Sequence, residues 1–260
     1  NRSIDGKQTD WSDKKTRVKV TIPYTPTDAE LKHPERIVIW YIDGSNNIIT
    51  VPNAKYDPIT KTVSFSTTHF SYYSVGYSDR SFNDVASDSS YAKAISFIAA
   101  RGITVGTGSD NFDPEAKLTR GQCVVMLMRA YGITLDSKAS ENFADAGNTY
   151  YTDYLSAAKG LGIVDGIGNN LFAPDKEVSR QEMFVMLYNT LKVINSVPAA
   201  VNGTQLSDYV DGAYVPDWSK EALTQLVKAG VVVDNDNKLN AYSTMTRAEI
   251  VQTLFNLLSR

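Results

Sequence analysis

The chain has 260 residues, of which 42% are hydrophobic and 21% charged, and a formal net charge of −3. This composition is globular and long enough for about two domains. The weak negative charge, with no basic stripe, argues against a nucleic-acid partner, and no run approaches the ~18 apolar residues that span a bilayer. One cysteine, Cys123, rules out an internal disulfide framework and a Cys-based zinc site. The two histidines, His33 and His69, lack a third partner at ligand spacing, so no metal, cofactor or catalytic triad is expected. The first residue is Asn1 and no signal peptide is visible, so the chain reads as part of a longer exported protein.

Residues 1–78 read as a small all-β module. Arg17–Ile22 alternates with period two up to Pro23, and Ile37–Ile42 is β-branched and aromatic, closed by Asp43-Gly44. Ile48–Val51, Thr62–Phe65 and Tyr72–Tyr77 follow at short spacing, a strand-turn-strand rhythm. Lys32-His33-Pro34 marks a loop, since the residue before proline is steered away from helix.

After Ser78 the apolar period becomes helical, and one text recurs three times. Gly102-Ile103, Gly162-Ile163 and Gly230-Val231 each precede Thr119-Arg120-Gly121-Gln122, Ser179-Arg180-Gln181-Glu182 and Thr246-Arg247-Ala248-Glu249. Three residues after each arginine stand Cys123, Met183 and Ile250, and four further on Leu127, Leu187 and Leu254. That is one face of a helix. Residues 79–136, 137–200 and 201–260 are therefore read as three helix-loop-helix repeats joined by the polar connectors 132–141 and 193–205. One helix pair cannot bury its apolar stripe alone, whereas three can. The expected fold is α+β: a sandwich-like β module followed by an all-α pseudo-threefold cluster.

The hydroxyls of Thr119, Ser179 and Thr246, with Gln122, Glu182 and Glu249 three residues on, spell capping boxes. That leaves Arg120, Arg180 and Arg247 unexplained, because a cation in the first turn faces the positive end of the helix dipole. An anion at the free N–H groups would complete each site, with the guanidinium as a bidentate fork. Gly102, Gly162 and Gly230 fit helix C-terminal positions in the left-handed region. Asp234-Asn235-Asp236-Asn237 resembles the start of a calcium loop, but Leu239 and Met245 stand where its glycine and glutamate belong.

The three copies resemble S-layer homology domains. The shared marks are the openings Phe82-Asn83-Asp84, Phe143-Ala144-Asp145 and Leu206-Ser207-Asp208, the glycine pairs Gly102/Gly106 and Gly162/Gly166, and the loop ends Phe112-Asp113-Pro114 and Phe172-Ala173-Pro174. The helix tryptophan of that pattern is Trp218 in the third copy, Tyr150 in the second and Ser90 in the first; the third copy has Leu239-Asn240-Ala241 for Phe-x-Pro. Residues 17–77 look like a β module that accompanies such repeats. The resemblance implies a non-catalytic anchor that binds an acidic, pyruvylated secondary cell-wall polysaccharide in grooves between repeats. It implies glycan contacts at Arg120, Arg180, Arg247, Gly102, Gly162, Gly230, Asp84, Asp145, Tyr150 and Trp218, and a secreted protein at the Gram-positive cell surface or S-layer. Two alternatives are a self-assembling unit of a surface lattice and the anchor fragment of a larger glycoside hydrolase. The acids sit at openings and caps and not as an isolated facing pair, so this part of the chain reads as non-enzymatic.

Overall fold

The computed structural model describes residues 2–4, 7–9, 17–135, 141–201, 203–232 and 236–260. The chain divides into two compact units, 1–112 and 113–258. The expected loop at Asp234-Asn235 and part of the 132–141 connector lie outside the described residues.

In the first unit, β1 (Arg2–Ile4) pairs antiparallel with β2 (Lys7–Thr9). Six further strands follow: β3 (Val18–Pro23), β4 (Ile37–Ile42), β5 (Ile48–Thr50), β6 (Lys55–Asp57), β7 (Thr62–Thr67) and β8 (Tyr73–Tyr77). They form two three-stranded sheets, ordered β3-β7-β6 and β5-β4-β8. Val63, Phe65 and Thr67 point inward from β7 while Thr62, Ser64 and Ser66 are half-buried, the alternation expected of a strand with one face on a core. That core is Ile37, Ile39, Val51, Ala54, Val63 and Phe65, flanked by Val20, Tyr41, Tyr73 and Val75. Pro23 ends β3 opposite Thr62, tolerable because β3 is an edge strand. The Lys32-His33-Pro34 loop is two 3-10 turns, Glu30–Lys32 and Pro34–Arg36, broken at His33, whose ψ of 63° is not helical.

The same unit continues past residue 78 into helix α1 (Ala92–Ala100), which buries Ile95, Phe97 and Ile98. Arg101 fixes that helix to the strands. Its guanidinium is fully buried and donates to the carbonyls of Glu35 (2.9 Å), Phe97 (3.0 Å), Ile37 (3.4 Å) and Ala54 (2.6 Å). It also lies over the Phe97 ring at 3.4 Å. Burial pulls its pKa down to about 9, with Glu35 opposing.

The second unit carries α2 (Arg120–Ala130), α3 (Thr152–Gly160), α4 (Arg180–Val193), α5 (Asp217–Lys228) and α6 (Arg247–Leu258). The positions picked out by helical spacing, Cys123, Met183, Ile250, Leu127, Leu187 and Leu254, are all buried. The segments before α2, α4 and α6 are stitched into a closed ring. Leu118 N–H donates to the Met245 carbonyl (2.9 Å), Met245 to Val178 (3.1 Å), and Val178 back to Leu118 (2.9 Å). All three side chains are buried. Among the described residues no helix is long and apolar enough to cross a membrane.

Candidate functional site

The three helix starts are built alike. At α2, Gln122 N–H donates to Thr119 Oγ1 (3.3 Å) and Thr119 N–H to Gln122 Oε1 (3.2 Å). At α4, Glu182 N–H donates to Ser179 Oγ (3.4 Å), and the Ser179 N–H and hydroxyl both donate to Glu182 Oε2 (2.8 Å). At α6, Glu249 N–H donates to Thr246 Oγ1 (3.2 Å) and Thr246 N–H to Glu249 Oε2 (2.7 Å). The N–H groups just inside each cap are taken as well, by loop carbonyls far along the chain. Arg120 and Gly121 donate to Lys176 and Pro174, Arg180 and Gln181 to Ser243 and Ala241, and Arg247 and Ala248 to Ala116 and Pro114. The expectation of free N–H groups waiting for an anion is therefore corrected. These donors are satisfied within the ring, as buried backbone groups must be.

The arginines answer the dipole problem from inside the protein. Arg120 is 4% exposed. Its Nε donates to the Phe172 carbonyl (2.8 Å), its Nη1 to Glu182 Oε1 (2.8 Å), and its guanidinium lies over the Phe172 ring at 4.4 Å. Arg180 repeats the pattern, donating from Nε to the Leu239 carbonyl (2.9 Å) with Glu249 Oε1 3.8 Å from Nη1. Burial lowers the pKa of both, with Glu182 and Glu249 opposing. For Glu182, burial raises the carboxyl pKa. Hydrogen bonds from Ser179 and the charges of Arg120 and Lys176 outweigh this and hold it below the usual carboxylate range. Glu182 is the carboxylate at hydrogen-bond distance from Arg120, and the charge of Asp145 also acts on that guanidinium. Arg247 is also buried, and its charge acts on Tyr150 together with that of Arg129 and a hydrogen bond from Gln122.

Gly102, Gly162 and Gly230 have φ of 67°, 70° and 62°. After each, the N–H of Ile103, Ile163 or Val231 returns to the carbonyl of Ile98, Ala158 or Leu226, the six-to-one bond of a Schellman motif. The aspartates fasten loops. Asp84 accepts the Phe112 N–H (2.8 Å), and Asp145 accepts those of Phe172 (2.8 Å) and Ala173 (2.7 Å). Ala173 sits at φ 55°, a left-handed position that a non-glycine residue holds only when its surroundings impose it. Ahead of α5 the same kind of contact is made by Asp211, which accepts from Leu239 and Asn240 at 2.8 Å each. The opening there is Tyr209-Val210-Asp211 and not Leu206-Ser207-Asp208. Asp208 instead caps its own 3-10 turn by accepting the Gln205 N–H.

One groove in the second unit brings expected residues together. It encloses about 390 Å³ and is lined by Arg120, by Glu182, Met186 and Asn189 of α4, by the loop Ile163–Ile167, and by Trp218 of α5. Asn189 Nδ2 donates to the Ile163 carbonyl (3.2 Å), which fixes loop to helix. Trp218 is 56% exposed although its ring borders the groove. Lys176, with Nζ 3.9 Å from Glu182 Oε1 and 62% of its side chain exposed, adds an accessible cation beside it. Tyr150, just ahead of α3, is also exposed, with its ring 5.3 Å from that of Tyr151. Sequence reading missed Lys176, Asn189 and the Glu182 partner. The helical spacing of Glu182, Met186 and Asn189 was the available signal.

Residues 81–122 and 142–184 match the S-layer homology domain. Among similar proteins, an amylopullulanase of Thermoanaerobacterium thermosulfurigenes is 26% identical over 230 residues, 87% of this chain and 12% of that protein. The S-layer protein sap of Bacillus anthracis is 28% identical over 178 residues, 68% of this chain and 21% of that protein. Exoglucanase XynX of Acetivibrio thermocellus is 26% identical over 184 residues, 69% of this chain and 16% of that protein. The chain thus spans about a fifth or less of these relatives' length. A match covering 87% of the chain takes in part of the β strands too. The two matched segments and the S-layer relatives support a cell-surface anchoring module.

Proposed function

We propose that the chain is a non-catalytic anchor that binds an acidic, pyruvylated secondary cell-wall polysaccharide and so holds an exported protein at the cell surface. In this reading residues 201–260 are a third S-layer homology repeat, and the three repeats form a pseudo-threefold cluster around the Leu118–Val178–Met245 ring. The observation that carries the proposal is the exposed indole of Trp218 bordering the same groove as Arg120. A sugar's C–H face stacks on such a ring. Arg120 and Lys176 supply positive charge for a ketal carboxylate, with Arg120 also holding the groove's shape through Glu182 and Phe172. Tyr150 with Arg247, and Arg180 with Glu249, are the counterparts in the other two repeats. Gly102, Gly162, Gly230, Asp84 and Asp145 then serve the glycan by shaping the loops that border it.

The direct test is sedimentation of the chain with purified cell walls. Trp218→Ala should leave the folded protein largely in the supernatant at concentrations where the parent pellets. The lattice alternative separates by dilution: wall binding survives it, whereas self-assembly does not. The sequence similarity to an amylopullulanase and an exoglucanase fits a larger enzyme carrying this anchor.

A further inference from the structure

The first unit has a cleft of its own, of about 410 Å³, between the turn at Lys32–Arg36, the segment from Arg80, and the start of α1. Lys32, Arg36, Arg80 and Lys93 line it, against the single carboxylate of Glu35. That carboxylate is already engaged, 3.3 Å from His33 Nδ1. The cleft is a local reversal of sign on a chain of net charge −3.

Arg36 is poorly satisfied. Its Nη2 makes a long bond to Ser96 Oγ (3.3 Å), its Nε is buried with no hydrogen-bond partner, and no carboxylate of the described residues lies within ion-pair distance. A guanidinium offers five donors in a fixed fork, and Ser96 Oγ takes up one of them here. Concave surfaces lined by one sign of charge focus the field at their centre. None of these residues belongs to the repeated Thr/Ser-Arg text or to the Trp218 groove.

We propose that this cleft is a second, independent anion site, which takes one carboxylate or phosphate group through the Arg36 fork, with Arg80, Lys32 and Lys93 as surrounding cations and Ser96 as a hydroxyl donor. It does not depend on the reading of the Trp218 groove. The backbone amide signals of Lys93 and Ser96 in the ¹⁵N-labelled full chain would be followed while sodium phosphate, and separately sodium pyruvate, is added at constant ionic strength. Saturable shifts of these amides are expected, and they should persist unchanged in Trp218→Ala, which separates the cleft from the Trp218 groove. The anion that saturates first tells whether a phosphate or a carboxylate is preferred. Arg36→Gln should weaken binding at least tenfold. The exposed Arg80→Gln, which cannot disturb the core, should weaken it measurably at unchanged melting temperature. Shifts that rise linearly without saturation, or saturable shifts that survive both substitutions, would overturn the assignment.

Discussion

Arg120 donates from Nη1 to Glu182 Oε1 at 2.8 Å across a separation of 62 residues, and the same Glu182 closes the capping box of its own helix through Ser179. One carboxylate therefore caps α4 and neutralises the cation that begins α2. The pairing turns an unfavourable arginine in a first turn into a clamp between neighbouring repeats.

Arg120→Ala should destabilise the second unit by about 3 kcal/mol, since breaking a buried pair leaves its partner uncompensated. Glu182→Gln alone should be milder because the amide can still accept from Ser179. A double-mutant cycle in chemical denaturation should give a coupling energy above about 1 kcal/mol; additive effects would mean that the pair is incidental.

The same carboxylates set the acid limb of stability. Burial opposes ionisation of Glu182 and Asp145, but their hydrogen bonds and nearby cations leave both below the usual carboxylate range. A folded-state pKa below the unfolded one adds stability that is fully present above the unfolded value, about 4 for Asp and Glu. That stability drains away as pH falls through the folded values. Melting temperature should hold from pH 7 to about 5 and then fall, and Glu182→Gln should fall less steeply. Equal slopes in parent and variant would remove Glu182 from the account.

Two glycines of one repeat should behave differently. Gly162 has φ 70° with open space where a Cβ would sit, so Gly162→Ala should lose about 1 kcal/mol from the left-handed conformation alone. At Gly166, φ 81°, an added Cβ would collide with the Leu171 carbonyl and the Phe143 ring. Gly166→Ala should lose about 3 kcal/mol or more. Denaturant midpoints of the two variants decide it.

The caps, the helix-ending glycines and the inward face were legible in the chain because each is a local matter of residue type at fixed spacing. The third opening was misread because the 3-10 turn Leu206–Asp208 supplies an aspartate three residues early. Only the hydrogen bonds to Leu239 and Asn240 single out Asp211. The satisfied helix starts could not be foreseen either, since their acceptors, such as Lys176 and Ser243, lie far along the chain. In the β module, β6 was missed because three residues, Lys55–Asp57, show no alternation to read.

Arg101 ties α1 to the strands, so Arg101→Met should lower the stability of the first unit by about 3 kcal/mol, leaving four carbonyls without that donor. Deleting residues 1–78 removes three of those acceptors and should lower hydrogen-exchange protection in α1. It should leave wall binding through the Trp218 groove unchanged. A tenfold loss of wall affinity would assign the β module a share of the glycan.

At the groove, exposure separates binding from folding. Trp218→Ala should weaken wall binding about tenfold, as expected for one lost stacking contact of about 1.4 kcal/mol. Lys176→Ala should weaken it less, and most at low salt, because an exposed charge contributes less as salt screens it. Both should melt with the parent.

The central claim is that an acidic group on the wall glycan is what the chain grips. The measurement is co-sedimentation of the full chain with purified walls before and after chemical removal of the pyruvate, with a further sample stripped of the secondary polymer. The account predicts strong binding to intact walls and at least a tenfold loss when pyruvate alone is removed, with nothing left once the polymer is gone. Undiminished binding to walls that have lost only the pyruvate would contradict it.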